Sequence, residues 1–293
     1  MSFSYDIKTK IARINTECEF CKIAELYGIV SFAATFKKDK ISIVTEHKDA
    51  AAKIENLFSE CMGFDLEKKD YSGGFRFEID DDIKREVVEQ RLQIKETDEA
   101  FKDELMPFEC CRNSYIRGAF IGGGSISDPQ KSYHMEFDTK SEAYADELIG
   151  VLAQEGIEAK KTQRKSHFTV YIKGYETIAG VLGIIGAGMA SMEIYNVSIE
   201  KEIRNSINRR LNCENANMDK VVKAYGKHFV AIEKIKNTIG FDALPETLRE
   251  IAKVRMEYPD ESLKELGNRL ENPIGKSGVN HRLNRIMEIA ERI

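Results

Sequence analysis

The sequence predicts an α+β protein in which two copies of an αββαββα unit form a pseudo-two-fold domain, followed by an all-α domain of three short helices. Three observations lead to this prediction. Residues 17–92 resemble residues 107–190. Within each copy, helical periodicity alternates with the period-two pattern of strands. Residues 244–290 carry start and stop signals for three further helices.

The repeat emerges when the chain is compared with itself. At an offset of 90 the aligned pairs include Cys21 with Cys111, Gly28 with Gly118, and Ala33 with Gly123. At an offset of 93 they include Gly63 with Gly156 and Phe77 with Val170. The difference of three residues predicts a longer hairpin loop in the second copy, at 127–130, where Ser-Asp-Pro-Gln favours a turn.

Each element of the unit follows from its own pattern. In the first copy the predicted helices cover 21–32 and 50–62, and the predicted strands 41–44 and 75–79. In the second copy the predicted elements are a strand at 133–137, a helix at 141–154 and a strand at 167–173. Glycine lets helix backbones approach closely. The glycines that end the first helix of the second copy are therefore predicted to meet small residues of the first copy: Gly118, Gly122, Gly123 and Gly124 against Gly28, Ala33 and Ala34.

Composition places the chain among globular proteins. It has 293 residues, of which 42% are hydrophobic and 32% charged. No apolar run reaches the length of a membrane span, and residues 1–15 lack the apolar region of a signal peptide, so we expect a cytoplasmic protein. The net charge of −5 gives no overall sign of a nucleic-acid partner. The segment 201–236, however, carries nine basic residues against four acidic ones, which fits either a phosphate-facing surface or a solvated helix face.

Six cysteines are expected as thiols in a reducing compartment. Cys18 and Cys21 form a lone CxxC. A zinc site needs a second pair or histidines at ligand spacing, and none appears in the sequence. The sequence interpretation is therefore that these are small helix residues, with no metal and no cofactor.

The paired small-residue helices resemble the motif helices of LAGLIDADG homing endonucleases. The motif windows are residues 26–34 and 116–124. In those enzymes each motif ends in an acidic residue, and the two acids hold divalent metals between DNA phosphates, because phosphodiester cleavage needs hard oxygen ligands there. Here the acid positions fall on Ala33 and Gly123. The resemblance therefore implies a catalytically dead domain with no catalytic residues.

Three longer stretches resemble the WhiA family of sporulation and cell-division regulators: residues 117–137, 204–217 and 244–286. That family joins a degenerate double LAGLIDADG-like domain to a C-terminal helix-turn-helix. The resemblance implies four regions. They are an N-terminal helix with the first LAGLIDADG-like repeat (1–105), the second repeat (106–200), a helical linker (201–240) and a helix-turn-helix DNA-binding domain (241–293).

The last region also predicts a helix-turn-helix from its own residues. Pro245 lies near the start of its first helix, and Tyr258-Pro259 ends it. Ser262 and Glu265 form a capping box that opens the second helix. A third helix is expected from about 276 to about 290, after the break at 272–275. Three short helices with a tight break before the last match the helix-turn-helix arrangement, in which the third helix reads DNA.

The third helix is predicted to have one buried face and one polar face. Its buried face is Val279, Leu283, Ile286 and Ala290. Side chains able to contact base edges lie on or beside the other face: Ser277, Asn280, His281 and Asn284. Its cations are expected to bind phosphates: Lys276, Arg282 and Arg285. A polar face alone is shared by any amphipathic surface helix, so the capped three-helix pattern and the family resemblance carry this assignment.

Two further segments carry weaker signals. Lys160, Lys161, Arg164 and Lys165 flank a predicted hairpin, where they would be either additional phosphate contacts or a solvated hairpin. Residues 204–212 are polar on most faces, which favours an interdomain helix with hydrogen-bonding neighbours over direct DNA contact. A long lysine-rich helix is expected at 216–237, with a bend near Gly240.

The sequence therefore predicts a sequence-specific DNA-binding transcriptional regulator of bacterial cell division, chromosome segregation or sporulation, associated with the nucleoid. Its expected partner is double-stranded DNA, and it is expected to make no membrane contact. The family resemblance adds a protein co-regulator, WhiB-like in some relatives. Two alternatives stay open: a division scaffold that binds DNA weakly, and an active metal-dependent endonuclease.

Overall fold

The computed structural model describes residues 2–71, 73–94 and 103–293. The chain divides into two compact units, residues 1–201 and 202–293. The end of the predicted first region, residues 95–102, lies outside the described residues. Across the described ranges, no helix combines the length and the apolar character needed to cross a bilayer.

Both repeats are present in the first unit. Its helices are α1 (Phe3–Ala12), α2 (Glu19–Ala33), α3 (Lys48–Met62), α4 (Asp82–Arg91), α5 (Glu109–Gly123), α6 (Glu142–Gln154) and α7 (Tyr175–Ile184). Its strands are β1 (Ala34–Phe36), β2 (Ile41–Thr45), β3 (Lys68–Tyr71), β4 (Gly74–Ile79), β5 (Gly124–Ile126), β6 (His134–Thr139), β7 (Lys160–Arg164) and β8 (His167–Lys173). The predicted order αββαββα is confirmed for α2–α4 and again for α5–α7.

The two antiparallel sheets have the same strand order, β1-β2-β4-β3 and β5-β6-β8-β7. The loop between β1 and β2 covers residues 37–40, and that between β5 and β6 covers 127–133. The second loop is three residues longer, as the repeat offset predicts. Its turn is held by the Asp128 carboxylate, which accepts the Gln130 N–H at 2.8 Å.

One face of each sheet packs on helices because strand residues alternate in direction. In β4, Phe77 and Ile79 are buried, whereas Arg76 between Phe75 and Phe77 is exposed. In β8, Val170 and Ile172 are buried with Met135 and Phe137 of β6. The hydrophobic core of the first unit thus lies between the sheets and the helices, with α2 and α5 at its centre.

The helices α2 and α5 approach closely through glycine. A Cβ on Gly28 would clash with the Tyr115 carbonyl oxygen, and one on Gly118 with the Glu25 carbonyl oxygen. A Cβ on Gly122 would lie 2.8 Å from the carbonyl oxygen of Ile29. The predicted packing of these glycines against the partner helix is confirmed.

The prediction fails in part for the last two glycines of the motif. A Cβ on Gly123 would meet the Asp138 carbonyl oxygen of β6 before it met Phe32 of α2. Gly124 is the first residue of β5, and a Cβ there would clash with Phe120 of the preceding helix. The reason is that α5 ends at Gly123, so the chain turns into the sheet before Gly124 can face the partner helix.

One helix, α8 (Gly188–Thr238), spans the segment predicted as a separate linker. Side chains 202–220 are exposed, and the Arg209 guanidinium donates to the Asn205 carbonyl oxygen at 3.3 Å. The prediction that hydrogen bonds to other elements hold this segment is therefore wrong. Contacts three and four residues apart on the same helix support it instead. The helix ends before Gly240, whose φ of +78° makes the predicted bend.

The second unit is all-α. After α8 come α9 (Glu246–Glu257), α10 (Leu263–Asn268) and α11 (Lys276–Arg292). Both bonds of the predicted capping box of Ser262 and Glu265 are present. Between α10 and α11 the turn is tight, because a Cβ on Gly267 would clash with the Ile274 carbonyl oxygen. Its core comes from all four helices: Ile232, Ile235, Leu248, Ile251, Leu266, Val279, Leu283 and Ile286.

Candidate nucleic-acid interface

The acid positions of the two LAGLIDADG-like motifs carry no acid. Ala33 is the last residue of α2, and Gly123 is the last residue of α5. Neither side chain can ligate a cation. Position 123 also has no room for a side chain, since any Cβ on Gly123 would clash with the Asp138 carbonyl oxygen. The backbone of β6 therefore occupies the space that a carboxylate at this position would need.

A cation from the chain itself lies at this end of α5. The Lys8 ammonium of α1 donates to the Ile121 carbonyl oxygen at 3.3 Å and lies 5.9 Å from the Phe120 ring centroid. The carbonyl groups of the last helical turn lack intrahelical partners and carry the negative end of the helix dipole. Burial lowers the pKa of Lys8 to about 8, so the side chain is still charged at neutral pH. Sequence reasoning missed this residue because α1 lies outside the repeat.

A cavity of about 640 Å³ opens beside Lys8. It is lined by α1, by the end of α5 and by the turn before α3, where His47 caps the helix by accepting the Ala50 N–H at 3.3 Å. From the second sheet, the side chains of Ser125 and Asp138 line the cavity. The cavity lining holds two acids, Glu46 and Asp138, neither of them at a motif position, together with the Lys8 ammonium.

Deeper in the helix pair, a buried ion pair links the repeats. Arg117 of α5 donates through Nε and Nη2 to the two carboxylate oxygens of Glu25 of α2, both at 3.0 Å. Lys53 of α3 lies 3.4 Å from the same carboxylate. A buried charge must be paired, so this cluster fixes how α2 and α5 meet. The sequence carries no local signal for it, because the partners are 92 residues apart.

The third helix of the second unit matches its predicted faces. Val279, Leu283, Ile286 and Ala290 are buried. The predicted base-contacting side chains are all exposed: Ser277, Asn280, His281 and Asn284. Helix α11 thus presents donors and acceptors to the outside of a three-helix unit, which is the geometry needed to enter a major groove.

The three predicted phosphate partners on α11 differ in their surroundings. Lys276 is exposed at the first position of the helix. Arg285 is exposed and pairs with Glu288 at 2.6 Å. Arg282 is half-buried, where it donates to the Thr247 carbonyl oxygen at 3.4 Å and lies 3.7 Å from Glu250, both on α9. Arg282 therefore helps to hold α11 against α9, and Lys276 is the most available cation of the three.

The four basic residues of the β7–β8 hairpin are also unequal. Lys160, Arg164 and Lys165 are exposed, and Lys165 stands at the turn with φ of +57°. Lys161 points towards α6, where its ammonium lies 2.8 Å from Glu142 and 2.7 Å from Asp146. The alternation of the strand thus divides the cluster between its two faces.

The second unit also contains a buried basic residue that sequence reasoning missed. Arg255 of α9 is 1% exposed, donates to the Glu261 carbonyl oxygen at 2.8 Å and lies 5.1 Å from the Tyr225 ring. Burial and this arginine lower the pKa of the neighbouring His228 to about 4. His228 is therefore neutral in the folded protein at physiological pH, which keeps two positive charges from meeting inside the unit.

Two family models match this sequence. The WhiA LAGLIDADG-like domain matches residues 112–204, and the WhiA C-terminal HTH domain matches residues 207–290. The first match covers the second repeat. The second match covers the later part of α8 together with α9, α10 and α11.

Full-length relatives and solved structures agree with these matches. The sequence is 38% identical to the "Probable cell division protein WhiA" of Alkaliphilus oremlandii, over 100% of this chain and 98% of the relative. It is 39% identical to the protein of that name from Heliobacterium modesticaldum, over 99% and 96%. The fold is similar to full-length DUF199/WhiA from Thermatoga maritima, with a TM-score of 0.61, 24% identity, and 100% and 99% of the two chains covered. It is also similar to the N-terminal LAGLIDADG domain of DUF199/WhiA, with a TM-score of 0.51, 18% identity, and 63% and 92% covered.

Proposed function

Because the chain belongs to the WhiA family, we propose that it is a sequence-specific DNA-binding transcriptional regulator of bacterial cell division, chromosome segregation or sporulation. One observation carries this proposal. Exposed Ser277, Asn280, His281 and Asn284 lie together on α11, the third helix of a capped three-helix unit. Such side chains discriminate base edges in the major groove, and each good contact is worth about 1–3 kcal/mol.

Affinity in this proposal comes from local rather than overall charge. Lys276 at the start of α11 and Arg285 on its flank supply phosphate contacts next to the base-contacting residues. Lys160, Arg164 and Lys165 in the first unit are candidates for additional contacts. Phosphate contacts release counterions, so binding weakens steeply as salt rises.

The LAGLIDADG-like domain acts in this proposal without a catalytic step. Ala33 and Gly123 offer no metal ligand, and Lys8 places an ammonium group at the end of α5. A plasmid-cleavage assay with Mg²⁺ tests this point directly. We expect intact plasmid, and nicked or linear product that depends on the metal and on this chain would establish the endonuclease alternative.

Binding to genomic DNA fragments tests the regulator itself. We expect a double variant, Asn280→Ala with His281→Ala, to bind its preferred fragment at least about 30-fold more weakly, from the loss of two base contacts. Asn237→Ala, an exposed asparagine on α8, is the matched control and should bind like the parent. Equal binding by parent and double variant would show that α11 does not read the sequence and would favour the scaffold alternative.

The site of action and the partners follow from the same proposal. A DNA-binding regulator of this kind works in the cytoplasm at the nucleoid, on double-stranded DNA. A protein co-regulator, WhiB-like in some relatives, stays a prediction from family resemblance. Recovery of bound DNA across the genome, repeated with residues 242–293 removed, would identify the targets and show whether they depend on the helical unit.

A further inference from the structure

The fold brings together cysteines that the sequence places 90 residues apart. Cys18 and Cys21 lie at the start of α2, and Cys110 and Cys111 at the start of α5. The Sγ atoms of Cys21, Cys110 and Cys111 all lie within 4.8 Å of one another. Cys18 is the N-cap residue of α2, one helical turn before Cys21. The second cysteine pair, missing beside the CxxC in the sequence, is thus supplied by the other repeat.

The spacing of these sulfur atoms suits a single metal ion. The Sγ atoms of Cys21 and Cys111 are 3.7 Å apart. In a tetrahedral zinc site with Zn–S bonds of about 2.3 Å, neighbouring sulfurs lie about 3.8 Å apart. Three sulfurs this close leave room for one ion, and not for the several irons and sulfides of a cluster. Thiolate ligands in a tetrahedral arrangement are typical of zinc.

The site is open to solvent on one side. Cys21 and Cys111 are buried, whereas Cys18 and Cys110 are exposed, so an ion can enter from solvent. Helix starts stabilise thiolates because backbone N–H groups point at them. Because cysteine binds zinc as the thiolate, an incoming ion displaces the thiol protons.

From this juxtaposition we infer that Cys18, Cys21, Cys110 and Cys111 form a zinc site that ties together the starts of α2 and α5. The sequence interpretation, which assigned no metal, considered Cys18 and Cys21 alone. The site lies at the opposite end of the helix pair from Ala33 and Gly123, so it has no connection with the lost endonuclease ligands. Its ligands are soft sulfurs rather than the hard oxygens that DNA cleavage requires.

The test uses the full chain, kept reduced and stripped of metal with a chelator. Co²⁺ serves as the spectroscopic probe and Zn²⁺ as the competitor. We expect one Co²⁺ per chain, with the strong absorption of cobalt–thiolate bonds, and displacement of Co²⁺ by Zn²⁺. Zinc should also raise the melting temperature of the first unit, because only the folded state assembles the ligands.

Cys110→Ser is the decisive variant, because this side chain is exposed and the substitution leaves the core intact. It should bind Zn²⁺ at least about a hundredfold more weakly, while its melting temperature in chelator equals that of the parent in chelator. Cys213→Ser, an exposed cysteine of the second unit, is the control and should bind like the parent. Absence of the cobalt–thiolate absorption, parental affinity in Cys110→Ser, or a Cys21–Cys111 disulfide without zinc binding would overturn the inference.

Discussion

The end of the α2–α5 pair and the exposed face of α11 carry residues of different kinds. At the end of the helix pair, small residues let backbone occupy the space, and the Lys8 ammonium lies against the Ile121 carbonyl oxygen. On α11, polar side chains stand exposed above an apolar face. The difference teaches that glycine and alanine in the first unit serve packing, whereas the polar residues of α11 remain available for a partner.

The largest expected effect comes from filling the helix contact. Gly118→Val would drive a side chain into the Glu25 carbonyl oxygen, so we expect the first unit to lose about 3 kcal/mol or more of its free energy of unfolding. Calorimetric unfolding of the full chain measures this. Gly180→Ala in α7 is the control, because a Cβ there meets nothing within 4 Å, and it should raise stability by about 0.5–1 kcal/mol. A stable Gly118→Val protein would break the claim that these glycines exist for packing.

The second-largest expected effect is a loss of stability of the second unit in acid. His228 has a folded pKa of about 4, and the unfolded value is about 6.5. Between these values the unfolded chain binds a proton that the folded unit does not, so stability is lost as pH falls from 6.5 towards 4. The full window corresponds to about 3 kcal/mol. His228→Gln should flatten this dependence in thermal unfolding at several pH values.

Raising the pH into the alkaline range should stabilise the first unit. Lys8 has a folded pKa of about 8 and an ordinary value of 10.5. The unfolded chain therefore holds more protons between pH 8 and 10.5, and stability rises with pH through this window. Because Lys8 is half-buried, we expect only about 1–2 kcal/mol. The difference in unfolding free energy between the parent and Lys8→Met, followed from pH 7 to 10, measures this term. A pH-independent difference would contradict the placement of Lys8.

The smallest expected effect is the loss of one phosphate contact on α11. Lys276→Ala should weaken DNA binding a few-fold for all sequences alike and reduce the salt slope of log K by about 1, as one phosphate contact is lost. Binding titrations at several salt concentrations measure the slope. Lys10→Ala, an exposed lysine of α1, should leave the slope unchanged. If only Lys10→Ala changed it, the first unit rather than α11 would supply the phosphate contacts.

Much of the candidate site could be predicted because its signals are local. The buried face of α11 repeats every three to four residues, and Ser262 with Glu265 announces the start of α10 within four residues. The same local patterns misled at Gly124, where a run of small residues continued past the end of the helix. They also misled at 204–212, since a polar helix is equally compatible with packing and with exposure.

By itself, the sequence determined the order of helices and strands, the internal duplication and the polar face of α11, because periodicity and capping act between residues a few positions apart. Only the tertiary structure decided that Arg117 meets Glu25, that Lys8 reaches Ile121 and that Cys21, Cys110 and Cys111 converge. These contacts join residues about 90 or more positions apart in the chain. Their formation depends on where side chains lie once α1, α2 and α5 have packed, and no local pattern of residues encodes those positions.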